Sequence, residues 1–270
     1  MKLDSGKAWN EATGMMGANR ELVLVIAGVF FFVPMMILLT ILFAIEIDFG
    51  SAGADPNPEL VSQQIGGAIL ESWWAILLVT IGQLAGALAL LSLLGDRQKP
   101  TVGEVMGFIP KLILTMIAAQ IISTFASQAL TLLVEQMPAS ISRLLSIPAL
   151  VISLYIAVKF SLISAVVAIE KQVNPITALM RSWQLTKGNS WRIFAFIFLL
   201  TITAMVVMLI LALSFGLVFS LMGERFAQIG IAIVLAALIS GFYALVYAVV
   251  AAIHRQLSGP SSGEVAQTFD

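Results

Sequence analysis

Six apolar stretches, each long enough to cross a lipid bilayer, leave this chain few ways to fold. They run over Leu22–Ile47, Ala68–Leu94, Leu112–Leu133, Ile147–Ile169, Ile193–Met222 and Ile229–Ile253, and a span needs about 20 mainly apolar residues. Lipid offers no water to satisfy backbone N–H and C=O groups, so each stretch is expected to satisfy its own as a helix. The expected fold class is an all-α membrane protein with six transmembrane helices. Residues 1–255 then form a single polytopic domain, and the polar Gly/Ser-rich segment 256–270 is expected to be a disordered tail. Only 11% of the residues are charged, against roughly 25% in a soluble domain, so a soluble enzyme is excluded.

The first stretch exceeds the roughly 7–15 residues of a secretory leader's apolar core and is expected to remain in the mature chain. The small residues Ser51–Ala54 leave cleavage there as the alternative. Pro34 interrupts this span, where the carbonyl it frees needs a neighbour. The fifth stretch is long enough to tilt or kink.

Lys and Arg set the orientation. Eleven of them (Lys2, Lys7, Arg20, Arg97, Lys99, Lys111, Lys171, Arg181, Lys187, Arg192 and Arg255) fall on one side of the expected spans, and only Arg143 and Arg225 on the other. Eleven against two places both termini in the cytoplasm. Trp73 and Trp74 near the outer end of the second span, and Trp9, Trp183 and Trp191 near the inner surface, suit the interfacial depth that indole prefers.

The inner connections carry helical patterns of their own. Asn174 can cap a helix with Pro175 at its first position, and Gly188 can end it. Ile176, Leu179, Met180 and Trp183 then fall on one face, with Thr177, Arg181 and Gln184 on the other. Thr101 and Glu104 form a capping-box pattern ahead of Val102, Val105, Met106 and Ile109, which repeat that spacing. Pro110 then marks the junction with the third span. Trp9, Ala12 and Met16 give a third copy. The chain thus reads as three parallel units, each a cytoplasmic interfacial amphipathic helix followed by two spans. The plainer account is that any loop between spans tends to be basic and amphipathic. Such helices would lie in the headgroup layer or dock a partner.

Lys159 is expected near the middle of the fourth span, where a charged lysine costs roughly 2.5–3.5 kcal/mol and needs a partner inside the bundle. Candidate partners are Gln83, the series Gln120, Thr124 and Gln128, and Glu46 or Glu71 nearer the outside. One reading makes Lys159 the centre of a site for a lipid-like or small anionic ligand, with Gln83, Gln120 and Gln128 around it. The other makes it a structural lysine held by amides, carbonyls and water. Gly82 and Gly86 form a small-xxx-small pair for close helix packing, within the monomer or across a homo-oligomer.

Catalytic chemistry finds no credible setting, and the chain is read as a non-enzyme without cofactor or metal. It has no cysteine and a single histidine, His254, expected as an interfacial residue at the end of the sixth span. The string Gly259-Pro260-Ser261-Ser262-Gly263 matches the GxSxG pattern, but a nucleophile elbow needs a strand before it and a helix after it. Glu46 and Asp48 border an acidic outer loop with Asp55 and Glu59 and read as a solvated edge. A net charge of −1 provides no basic field for nucleic acid. The expected partners are membrane lipids and either a membrane-protein partner or further copies of the chain.

The stretch from Glu170 to Arg192, with Pro175, Arg181, Ser182, Trp183, Gly188, Asn189, Trp191 and Arg192, resembles the "E…P…AL.RSW.LT.GN.WR" signature of the bacterial glycerophosphoryl diester phosphodiesterase membrane-domain family. The likeness covers about 45 residues from Tyr155. It implies a six-span bacterial inner-membrane module, with Lys159 at the position of a basic residue common in that family. Where the family often has a proline shortly afterwards, this chain has Ala165-Val166-Val167. No phosphodiesterase domain of the kind fused to some relatives is expected, since one histidine cannot supply its acid–base and metal residues, so the resemblance implies no such activity.

Overall fold

The computed structural model describes residues 2–44, 63, 66, 67, 69–95 and 102–259. The acidic outer loop with Glu46, Asp48, Asp55 and Glu59, the basic pair Arg97 and Lys99, Thr101 of the capping box, and residues 260–270 lie outside them. Among the described residues there are helices and no strand. In chain order these are α1 (Ser5–Ala18), α2 (Arg20–Ile26), a π-helical stretch (Ala27–Phe32), α3 (Val33–Ala44), α4 (Trp73–Gly95), α5 (Val102–Glu135), α6 (Ala139–Lys159), α7 (Ile163–Ile169), α8 (Pro175–Thr186), α9 (Ser190–Ser220) and α10 (Glu224–Ser258). Six segments are long and apolar enough to cross a membrane, so the chain is an all-α, multi-pass membrane protein.

The helix boundaries correct three expectations. α5 runs unbroken with Pro110 inside it, so the second amphipathic segment is the first turns of the third span and not a separate helix. Pro110 cannot donate to the Met106 carbonyl, but one missing bond costs about 3 kcal/mol, less than unwinding a long apolar helix in lipid. The fourth span begins at Ala139, with Pro148 inside, and is interrupted after Lys159. α10 continues to Ser258, three residues into the expected tail. The fifth span forms one unbroken helix, α9, in which only Ile193 is buried.

The chain divides into two compact units. One comprises Met1–Arg20, Ala87–Leu200 and Leu245–Asp270, the other Glu21–Gly86 and Thr201–Ala244.

In the second unit, Pro34 shapes the first span. Having no N–H for the Phe30 carbonyl, it forces the preceding turn to widen, and Val33 N–H reaches back five residues to Gly28, the π-type spacing. Gly82 of α4 lies against that freed carbonyl: a Cβ at Gly82 would come 2.6 Å from Phe30 O and 3.1 Å from Pro34 Cγ. One at Gly86 would run into the Phe31 ring. The glycine pair therefore serves packing within the chain, on its own first span.

In the first unit the core comes from the inner half of α4 (Ala87–Leu91), from α7 and the residue before it (Leu162–Ala168), and from Ala248–Ile253 of α10, all buried. Ser92 Oγ donates to the Ala168 carbonyl at 3.1 Å. The Thr131 and Ser153 hydroxyls meet at 2.9 Å, joining α5 to α6.

Candidate functional site

The site grows from the interruption at the end of α6. No glycine or proline stands between Lys159 and Ile163. In an unbroken helix the Lys159 carbonyl would accept from the Ile163 N–H; here that N–H turns to Phe160 O at 3.1 Å. The Lys159 carbonyl accepts instead from Ser182 Oγ at 2.8 Å and Thr186 Oγ1 at 3.4 Å. Both hydroxyls sit on the fully buried face of α8. A tertiary hydrogen bond thus compensates the break in a helix whose local sequence offers no reason for one.

Lys159 itself is 3% exposed. Its ammonium lies 5.3 Å from the centre of the Tyr155 ring and 5.4 Å from that of Trp183. The two rings meet edge to face at 6.2 Å, and Phe160 backs Trp183 at 5.6 Å. Among the described residues no carboxylate comes within ion-pair distance of Lys159, and no amide bonds it. The expected mid-helix lysine among glutamines is therefore a helix-end lysine between two π faces, which compensate a cation that has lost its water.

Beside it opens a cleft of about 570 Å³. Val151, Leu154, Tyr155, Val158 and Lys159 line it from a single face of α6, and the span from Val151 to Lys159 is about 12 Å along the axis at 1.5 Å per residue. Lys187, Gly188, Ser190, Trp191 and Phe194 complete the lining, and Thr186 Oγ1 bonding the Lys159 carbonyl brings the end of α8 beside Lys159. Gly188 follows α8 with φ of +79°, which an L side chain adopts only with strain. The turn it permits leads from the α8 end at Lys187 to the start of α9. The cleft is thus apolar along α6 and cationic at one end.

The signature stretch builds the floor of this region. Asn174 caps α8 by accepting from the Ile176 and Thr177 N–H groups at 2.9 and 3.3 Å, with Pro175 at the first turn as expected. Arg181 Nε donates to both Glu170 oxygens, at 3.1 and 3.2 Å. His254 Nε2 lies 2.9 Å from Glu170 Oε1. His254 is buried, and its partner Glu170 comes to it from 84 residues away. Burial pushes the Glu170 carboxyl up, but the His254 hydrogen bond and the Arg181 charge outweigh that and hold it below its ordinary value. Asn189 Oδ1 accepts from the Leu3 N–H at 2.8 Å, while Arg192 donates to the Leu3 carbonyl at 2.8 Å.

The face of α8 that packs inward is Ala178, Leu179, Ser182, Leu185 and Thr186. Of the face chosen by hydropathy, only Leu179 is buried; Ile176, Met180 and Trp183 point outward. With lipid as solvent the small residues pack and the large apolar ones face out, the reverse of the rule for water. Trp191 is 76% exposed.

Gln120 opens on a different cavity from Lys159, Gln128 is exposed, and Gln83 sits half-buried on α4 in the other unit. The cleft residues Lys187 and Ser190 were not singled out from sequence; only the Gly188 turn next to them signalled the place. No cluster of potential metal ligands occurs among the described residues. No protein-family model, curated protein or solved structure matches the chain.

Proposed function

We propose that this protein binds, and in its membrane moves or presents, an anionic amphiphile whose headgroup sits at Lys159 and Lys187 and whose chain lies along α6. The observation that carries this reading is the cleft itself, with a long apolar wall ending at two lysines, a serine hydroxyl and the Gly188 turn. An acyl or alkyl chain gains about 0.8 kcal/mol per buried CH₂, while a phosphate or carboxylate gains charge-assisted hydrogen bonds at the basic end. Burial of Lys159 strengthens its attraction for an anion, because little water competes.

The eleven-to-two bias of Lys and Arg supports a setting with both termini in the cytoplasm. The likeness of residues 170–192 to the glycerophosphoryl diester phosphodiesterase membrane-domain signature supports a bacterial inner membrane. The reading involves no catalytic step. A docking role for the cytoplasmic helices is the second reading, favoured by the outward Ile176, Met180 and Trp183 on α8.

Titrating the protein in lipid nanodiscs with dodecyl phosphate and with dodecyl phosphocholine tests the proposal. The phosphate is expected to bind at least tenfold more tightly. Lys159→Gln and Lys187→Gln should each weaken it about tenfold or more, since a hydrogen bond to a charged group is worth about 1.5–3 kcal/mol. Equal affinity for the two amphiphiles, or unchanged binding in both variants, would overturn it.

A further inference from the structure

A second cavity, of about 230 Å³, adjoins the same helix interruption and is polar where the first is greasy. Gln120, Ser123, Thr124 and Ser127 reach it from α5, and Ser161 and Ser164 from the break and α7. No charged side chain lines it. Three of the hydroxyls have already placed their protons: Ser123 Oγ donates to Gln120 O at 3.0 Å, Ser127 Oγ to Thr124 O at 3.1 Å, and Ser161 Oγ to Val158 O at 2.8 Å. What these groups have left for the cavity is oxygen lone pairs. The side chains of Gln120, Thr124 and Ser164 bond no partner among the described residues, which adds three further oxygens together with the two Gln120 amide protons and two hydroxyl protons, leaving six lining oxygens against four free protons.

Such a lining recognises a guest that needs acceptors. Ala157 and Phe160 place the C-terminal end of α6 at the cavity wall, and that end of a helix carries partial negative charge. The C-terminal ends of interrupted helices are among the groups that coordinate small cations inside membranes, and hydroxyl oxygens are neutral oxygen donors of the kind hard cations take. Without a lining carboxylate the cavity lacks what a divalent ion requires, and the positive charge of Lys159, two residues before Ser161, weighs further against one. At about 30 Å³ per water the volume holds roughly seven waters, so an ion enters with part of its hydration shell.

We propose that this hydroxyl-lined cavity between α5 and the α6–α7 interruption is a binding site for a small, partly hydrated monovalent cation. The test uses the full-length protein in nanodiscs, titrated with Na⁺, K⁺ or Rb⁺ against choline at constant ionic strength and followed by calorimetry. Saturable binding of at least one alkali ion, absent with choline, is expected. Thr124→Val and Ser164→Ala should each weaken it about tenfold, and Thr124→Ser, which keeps the oxygen, should bind like the parent. Size-exclusion profiles identical to the parent's establish that each variant is folded, and the two lining variants on different helices serve as independent checks. No saturable alkali-ion response, an equal response to choline, binding of glycerol without binding of any cation, or undiminished binding in both folded variants would each overturn the proposal.

Discussion

Replacing Gly82 with alanine tests the coupling between Pro34, the π-helical turn and the close approach of α4. The added methyl would stand 2.6 Å from the Phe30 carbonyl oxygen, and ordinary contact begins near 3.4 Å, so about 0.8 Å must open between them. The obstructing atom is backbone, fixed by the turn that Pro34 imposes, and it cannot rotate aside as a side chain would. Overpacking of this kind costs about 1–3 kcal/mol. The better helix propensity of alanine returns up to about 1 kcal/mol, leaving a net loss of about 0–2 kcal/mol, or about 1–3 kcal/mol relative to a control that gains the same propensity. Gly241→Ala in α10 is the matched control, since nothing lies within 4 Å of its Cβ position; it should be neutral or slightly stabilising. Equilibrium unfolding by SDS in mixed micelles, followed by far-UV circular dichroism, compares the two. If Gly82→Ala proved as stable as Gly241→Ala to within about 0.5 kcal/mol, the close-approach argument would be refuted.

Ser182→Ala removes the shorter of two hydroxyl bonds to the Lys159 carbonyl and should cost about 0.5–1.5 kcal/mol in the same assay; Ser146→Ala, whose hydroxyl bonds only the Arg143 carbonyl of its own helix, should cost less. Because Glu170 is held below its ordinary value of 4.5, its contribution is complete above that pH and fades as pH falls through the lower folded value. Glu170→Gln should therefore flatten the loss of stability below about pH 4.5, and an unchanged acid slope would contradict the ion-pair account.

Hydropathy made the spans legible because each needs only length and apolarity, and Pro34, Asn174 and Gly188 were legible because each acts on backbone within a few residues of itself. The interruption after Lys159 was not: Lys159-Phe160-Ser161-Leu162 holds no helix breaker, and the group that satisfies the freed carbonyl is a hydroxyl 23 residues away. The Glu170–His254 bond was hidden for the same reason, and without it His254 read as a lone terminal residue. The packing face of α8 was not legible because hydropathy marks Ile176, Met180 and Trp183, while the buried face is built largely from the small residues Ala178, Ser182 and Thr186. The aromatic neighbours of Lys159 could not be read, since Tyr155 lies one turn back in the same expected span and Trp183 reads by pattern as an interfacial residue.

The clasp on Leu3 has a consequence in time. The groups that hold the N-terminus, Asn189, Arg192 and Gln256, lie 186, 189 and 252 residues downstream. At roughly 5–20 residues per second of synthesis, the first residues made wait on the order of 10–50 s for the last of these partners. Only then can Asp4 N–H reach Gln256, and Glu11 its ion pair with Arg255 at 3.2 Å. A chain stalled before α10 would hold Leu3 through Asn189 and Arg192 but lack the bonds to Arg255 and Gln256. The seating of α1 thus registers whether α10 has arrived.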